Sequence, residues 1–115
     1  MRKYIVLDTP QNDIKKVMIA DLKDEINMFL YDTLNDVPSI GDYSFETVQE
    51  AEEFFNKEFA KGKDGKISWI YVPNPLEGCQ EDIIASVRVK GINTCAPQWG
   101  SYERLMDGRW VDIKF

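Results

Sequence analysis

The stretch SFETVQEAEEFFNKEFAKG, residues 44–62, decides the fold class because it carries the clearest helical pattern in the chain. Its apolar residues recur every three or four positions, as they do along one stripe of an amphipathic helix. Ser44 is the expected N-cap, and Lys61 with Gly62 supplies a cationic last turn and a C-cap. We therefore predict a helix over residues 45–61. Its core-facing side chains are expected to be Val48, Ala51, Phe54, Phe55 and Phe59.

On both sides of this helix the sequence favours strands. Residues 3–10 (KYIVLDTP) and 67–72 (ISWIYV) are rich in β-branched and aromatic residues, and residues 83–90 alternate between apolar and polar. Residues 35–43 are predicted to be a loop. Residues 14–34 favour a hairpin with strands near 15–21 and 26–34, and a helix over 13–31 is the competing interpretation.

The dipeptide Asp107-Gly108 predicts a hairpin near the end of the chain, since it favours a two-residue turn. The resulting register pairs Met106 with Arg109 and Tyr102 with Ile113. It also predicts that Glu103 and Asp112 lie opposite each other, with basic side chains of the preceding strand beside them. The face expected to point to the core comprises Tyr102, Arg104, Met106, Val111, Ile113 and Phe115.

These elements predict an α+β fold. We expect one domain, residues 1–115, in which a mainly antiparallel sheet of five to seven strands packs against one principal helix at about 45–61.

Charge is distributed unevenly along the chain. The net charge is −6, but residues 21–58 hold eleven acids against Lys23 and Lys57, and the remainder is net positive. This balance disfavours a primary role on duplex nucleic acid, where neutralising phosphates supplies most of the affinity. The apolar runs are too short to span a membrane, and no secretory hydrophobic segment follows Met1, so a cytoplasmic location is expected.

The sequence lacks the residues that several kinds of catalytic, metal and phosphate-binding sites require. The chain contains no histidine, which excludes Cys-His and Ser-His catalytic pairs within it. Its two cysteines, Cys79 and Cys95, are separated by a predicted strand and are expected to be free thiols. Two separated cysteines do not form a tetrahedral zinc site, and no glycine-rich phosphate loop is present. We therefore expect no catalytic residue, no metal site and no cofactor.

Three functional hypotheses remain. The first is a non-enzymatic binding module, such as an inhibitor or an immunity-type protein, acting on a basic protein partner. Small toxin-neutralising immunity proteins share the size and acidity of this chain, but no residue pattern identifies that class. The expected partner-binding residues are Asp32, Asp36, Asp42, Glu46 and Glu53.

The second hypothesis is a small-molecule ligand held in an aromatic pocket between helix and sheet. Its lining would be Trp69, Tyr71, Trp99 and Tyr102, and its ligand-binding residues would be Asp82, Gln98, Trp99 and Arg104. The third hypothesis is an enzyme that uses carboxylates and Arg104. The register leaves open whether Arg104 is a pocket cation or merely extends its head to water.

Overall fold

The computed structural model describes residues 1–22, 25–60 and 68–114, and it confirms the α+β class. One helix and eight strands are present in those ranges. In chain order they are β1 (Arg2–Gln11), β2 (Ile14–Leu22), β3 (Glu25–Tyr31), β4 (Gly41–Phe45), α1 (Val48–Glu58), β5 (Ile70–Val72), β6 (Val87–Val89), β7 (Tyr102–Met106) and β8 (Arg109–Ile113).

The strands form two sheets. The larger has the order β4-β3-β2-β1-β5, and every pairing in it is antiparallel. The smaller has the order β6-β7-β8 and is also antiparallel. The five-stranded sheet falls within the predicted range of five to seven strands, and helix α1 packs on its β2, β3 and β4.

Residues 14–31 form a hairpin, so the competing helix over 13–31 is wrong. Alternate residues of β2 point to opposite faces, and both faces are buried: Val17 and Ile19 pack toward the helix, Met18 and Ala20 toward the other side. The sequence of a strand that is buried on both faces is a nearly continuous apolar run. Such a run does not by itself distinguish a strand from a buried helix. Residues 23–24, which follow β2 in the sequence, lie outside the described residues.

Strand β1 is longer than predicted. It continues through Pro10 to a second tight hairpin whose tip residues, Asn12 and Asp13, have φ angles of 50° and 67°. The ladder to β2 is irregular between Val6 and Gln11. Such an irregularity accommodates Pro10, which has no backbone N–H to give to a ladder.

Helix α1 confirms the predicted core face but neither of its predicted ends, since it covers Val48–Glu58 with Phe59 as C-cap rather than 45–61. Ala51, Phe55 and Phe59 are buried, and Val48 and Phe54 pack against the same core. The N-cap is Thr47, whose hydroxyl accepts from the Glu50 N–H at 3.1 Å, so the prediction of Ser44 as N-cap is wrong. Ser44 lies instead in β4, which the prediction of a loop over 35–43 also missed. Lys61 and Gly62 lie outside the described residues.

The predicted register of the terminal hairpin is confirmed at every pair from Tyr102↔Ile113 to Met106↔Arg109. Its predicted core face is wrong, because Arg104, Met106 and Val111 are exposed. Within the hairpin the opposite face is the more buried one, with Glu103 buried and Leu105 and Trp110 partly buried. There the Arg88 guanidinium lies 3.7 Å from the centre of the Trp110 ring and donates to Glu103, which is 8% exposed. Phe115, the last predicted member of the core face, lies outside the described residues.

The strand predicted over residues 83–90 is shorter in the structure, where β6 covers only three residues. Residues 83–86 run without ladder pairing, although Ile83 is fully buried. They lie against the face of the larger sheet that α1 leaves uncovered, where Ile84 packs with Met18, Phe29 and Tyr31. The one helix in the described part of the chain is not long and apolar enough to cross a membrane.

Candidate functional site

Strand β4 forms one edge of the larger sheet. Its residues pair with β3 in a regular register from Ile26↔Phe45 to Leu30↔Gly41, and no described strand pairs with its other side. The polar–aromatic alternation of residues 42–45 places Asp42 and Ser44 on the face away from α1, and Tyr43 and Phe45 on the face toward it. That alternation is the sequence signal that could have identified the strand.

Exposed carboxylates lie on β4 and on the elements next to it. We call them the acidic edge, and they come from the start of β3, from β4, from the turn after it and from the outer side of α1. Three of them, Asp42, Glu46 and Glu53, were predicted as partner-binding residues, and two were not. The acidic edge comprises Glu25, Asp42, Glu46, Glu50 and Glu53.

The acidic edge is concave at one end. A depression of about 460 Å³ is lined by Ser44, Phe45 and three of the carboxylates, Glu25, Glu46 and Glu50. These three acids come from β3, the turn before α1 and the first turn of the helix. They meet because Ile26 and Phe45 are paired and Thr47 starts the helix directly afterwards. Glu50 also benefits from the positive end of the helix dipole.

Aromatic rings hold β4 and α1 together beneath the carboxylates. The Phe54 ring lies 4.8 Å from the Tyr43 ring and 5.4 Å from the Phe45 ring, centre to centre. Tyr43 is nevertheless 46% exposed, so part of its ring is open to solvent beside the strand edge. Aromatic pairs at such distances stabilise a contact by about 0.5–1.5 kcal/mol beyond their area burial. The edge strand is therefore a supported and ordered element.

Asp32 and Asp36, the other two predicted partner-binding residues, lie in the loop after β3. Asp32 is exposed. The Asp36 carboxylate accepts the backbone N–H groups of Ile84 and Ala85 at 2.7 and 2.8 Å. Its oxygens are thus engaged in holding residues 83–86 on the sheet, and we do not include Asp36 in the acidic edge.

A buried arginine completes that attachment. Arg2 is 1% exposed, and its five N–H groups donate to backbone carbonyls of Pro73, Glu81, Ile83 and Ile84. Burial lowers the Arg2 pKa, and nearby Tyr31, Asp36 and Asp82 oppose that effect. Sequence reasoning missed this role, because an arginine beside the N-terminal methionine carries no local signal of burial.

Of the predicted ligand-binding residues, Gln98 is the one that lines the depression described below. The Asp82 carboxylate accepts from the backbone N–H and the hydroxyl of Ser39 at 2.9 and 3.1 Å. Gln98 lines a depression of about 440 Å³ at one end of the smaller sheet, together with Lys90, Tyr102 and Asp112. Asp82, Trp99 and Arg104 do not line that depression. Trp99 is 74% exposed, and Arg104 is an exposed side chain of β7.

The four aromatic residues expected to line a pocket also lie apart. Trp69 packs on Phe55 of the helix, with 4.9 Å between ring centres, and Tyr71 is exposed on β5 of the larger sheet. Tyr102 belongs to the smaller sheet, and Trp99 lies in the loop before it. Between Trp69 and Tyr71 lies the Lys3 ammonium, which is paired with Glu52 of the helix. Of these four residues, only Tyr102 lines the depression at the end of the smaller sheet.

Both cysteines are free thiols, as predicted. Cys95 is exposed, whereas Cys79 is partly buried and its pKa is raised by that burial. The positive charges of Arg88 and Arg2 act in the opposite direction. A less acidic thiol is a weaker nucleophile at neutral pH, because the thiolate is the reactive form.

No protein-family model, no curated protein and no solved structure matches the chain.

Proposed function

We propose that this chain is a small protein-binding module, of the inhibitor or immunity type, whose acidic edge docks on a basic protein. The observation that carries this proposal is the arrangement around β4. A sheet edge without a described partner carries the exposed carboxylate of Asp42 and a half-exposed tyrosine at its centre, and three further exposed carboxylates line the depression at one end of it. Tyrosine is enriched at protein interfaces, because it gives a large contact area and a polar end.

The charge of this region supports a basic partner. Residues 25–60 contain nine acids and one base, Lys57, which lies in the last turn of the helix. Charges of one sign grouped on one surface accelerate encounter with a partner of opposite sign, and salt weakens the effect. Scattered acids would serve solubility equally well. Their grouping around an ordered edge with an exposed aromatic ring favours docking.

The two free thiols support a cytoplasmic location, which we propose as well, because unpaired cysteines are usual in reducing compartments.

A capture experiment with two matched triple variants tests the proposal. The edge triple, Asp42→Asn with Glu46→Gln and Glu53→Gln, removes three charges from the acidic edge. The control triple, Asp13→Asn with Glu77→Gln and Asp107→Asn, removes three charges from exposed positions outside it. Each protein is attached to a resin through the exposed Cys95, which lies in the loop between β6 and β7. The resin is then exposed to a low-salt lysate of the source organism.

We expect wild type and the control triple to retain the same basic protein and the edge triple to lose it by about tenfold, which corresponds to about 1.4 kcal/mol. Equal retention by all three proteins would contradict the proposal. So would equal loss by both triples, because total charge rather than the acidic edge would then control binding.

A further inference from the structure

We propose that the basic partner binds by adding an extended, lysine- or arginine-rich strand to the outer edge of β4. This inference rests on the proposed function and specifies how the acidic edge is used. Strand β4 is five residues long, or about 16 Å, and its backbone groups on the outer side have no strand partner in the described chain. A row of unpaired N–H and C=O groups is itself a template for another strand.

Of the usual protections of a sheet edge, β4 carries only charge. Edges are commonly blunted by charged side chains, by proline, by a bulge or by short length, and the charges of β4 and its surroundings are all negative, so they repel acidic strands but not basic ones. Residues Gly41–Phe45 contain no proline and no lysine, and their register with β3 runs without a shift. The opposite edge of the same sheet, β5, is only three residues long. Of the two edges of the larger sheet, β4 is therefore the one suited to pairing.

The edge is also held in the geometry that pairing requires. On its inner side β4 is paired with β3 over all five residues, and Phe54 of the helix packs on Tyr43 and Phe45. An incoming strand would thus meet a rigid template, and little ordering of β4 would oppose binding.

Charge decides the occupant. Asp42 lies within the strand, Glu46 directly follows it, and Glu25 and Glu50 line the depression at that end. A second copy of this chain would bring a second acidic edge against the first, and like charges across paired strands are destabilising. A strand with lysine or arginine at alternate positions instead places its cations beside these carboxylates while its backbone completes the ladder.

Three blocked nine-residue peptides test this mode of binding. The parent alternates lysine with valine and threonine. One derivative is N-methylated at every odd residue and the other at every even residue, so all three carry the same charge. An added strand uses the N–H groups along only one of its two edges. We expect one derivative to bind at least about tenfold more weakly than the parent and the other to retain most of the affinity, with binding followed by titration calorimetry.

Amide hydrogen exchange locates the contact. With the parent peptide bound, we expect slower exchange at alternate residues of Gly41–Phe45 and no change in β8, the five-residue edge of the smaller sheet. The edge triple should weaken peptide binding and the control triple should not.

Four outcomes would overturn the inference. Equal binding of all three peptides would show a purely electrostatic contact, which leaves the proposed function intact. If the parent peptide does not bind at about 1 mM, basic segments do not bind by adding a strand to β4. Slower amide exchange at β8 rather than at β4 would place the peptide-binding site on the smaller sheet. A dimer in solution with β4 protected in the absence of peptide would assign the edge to a second copy.

Discussion

Arg2 and Pro73 are 71 positions apart in the chain, yet two nitrogens of the Arg2 guanidinium, Nε and Nη2, donate to the one carbonyl oxygen of Pro73 at 2.9 and 2.6 Å. The remaining N–H groups of Arg2 reach Glu81, Ile83 and Ile84. One side chain at the start of β1 thereby fixes the segment that covers the second face of the larger sheet. A planar guanidinium offers five donors, whereas an ammonium offers three.

Replacing Arg2 by lysine should therefore destabilise the fold although the charge is kept. We expect a loss of about 2–4 kcal/mol in the free energy of unfolding, because buried carbonyls lose their donors. Urea denaturation followed by tryptophan fluorescence measures it. Arg104→Lys is the matched control, and this exposed substitution should stay within about 0.5 kcal/mol of wild type. Similar losses for both variants would contradict the role given to Arg2.

Asp36 and Asp32 should respond differently to the same substitution. Asp36→Asn weakens two charge-assisted hydrogen bonds to the backbone of Ile84 and Ala85, and we expect a loss of about 1–2 kcal/mol. Asp32 is exposed, and Asp32→Asn should change stability by less than about 0.5 kcal/mol. Chemical denaturation of both variants checks the difference. If the two midpoints coincide with that of wild type, Asp36 is only a surface charge.

Tyr31 should make the fold sensitive to alkaline pH. Its hydroxyl donates to the Asp82 carbonyl at 2.5 Å, and burial, followed by the charges of Asp82 and Asp36, raises the Tyr31 pKa well above its ordinary value of 10.0. In the unfolded chain this phenol ionises near pH 10, whereas in the folded chain it keeps its proton. Its stabilising contribution is therefore fully present below pH 10 and decreases as the pH rises above it.

The comparison of wild type with Tyr31→Phe isolates this contribution. The difference in unfolding free energy between them should be constant from about pH 7 to 9 and should shrink above about pH 10. Urea midpoints at several pH values provide the measurement. A difference that stays constant through that range would mean that Tyr31 ionises equally in both states.

The start of the helix can be tested with two alanine substitutions. Thr47→Ala removes the hydroxyl that accepts the Glu50 N–H and should cost about 1 kcal/mol. Ser44→Ala removes only a hydroxyl on exposed β4 that donates to Asn27, and we expect the smaller effect. Thermal unfolding ranks the two variants. A larger effect of Ser44→Ala than of Thr47→Ala would indicate that Ser44 is the N-cap, as the sequence pattern suggested.

The sequence predicts those features of the fold that depend on residues close together in the chain. The helix face around Phe55 and the register fixed by Asp107-Gly108 follow from local periodicity and turn chemistry, and both were predicted correctly. The predicted N-cap, Ser44, and the observed N-cap, Thr47, are three residues apart. Serine and threonine both cap helices well, and Ser44 is not the cap because it pairs with Asn27 in the ladder.

Polar contacts were predictable only where a hairpin register brings the partners together. The register placed basic side chains of the preceding strand beside Glu103 and Asp112, and Arg88 and Lys90 form those ion pairs. The burial of Glu103 was not predicted. The contacts of Arg2, Asp36 and Asp82 were not predicted either, because their backbone partners lie 43 or more positions away. In the acidic edge, the sequence predicted the charge but not the free strand edge on and beside which the acids lie.

The salt dependence of association tests the central claim most directly. With the captured partner, the association rate constant is measured by stopped flow at about 50 mM and about 500 mM salt for wild type, the edge triple and the control triple. For wild type and the control triple we predict a fall of at least about tenfold between the two salts, and for the edge triple a slower rate at low salt with a much smaller fall. Equal rates at both salts for wild type, or equal salt dependence in all three proteins, would contradict docking through the acidic edge.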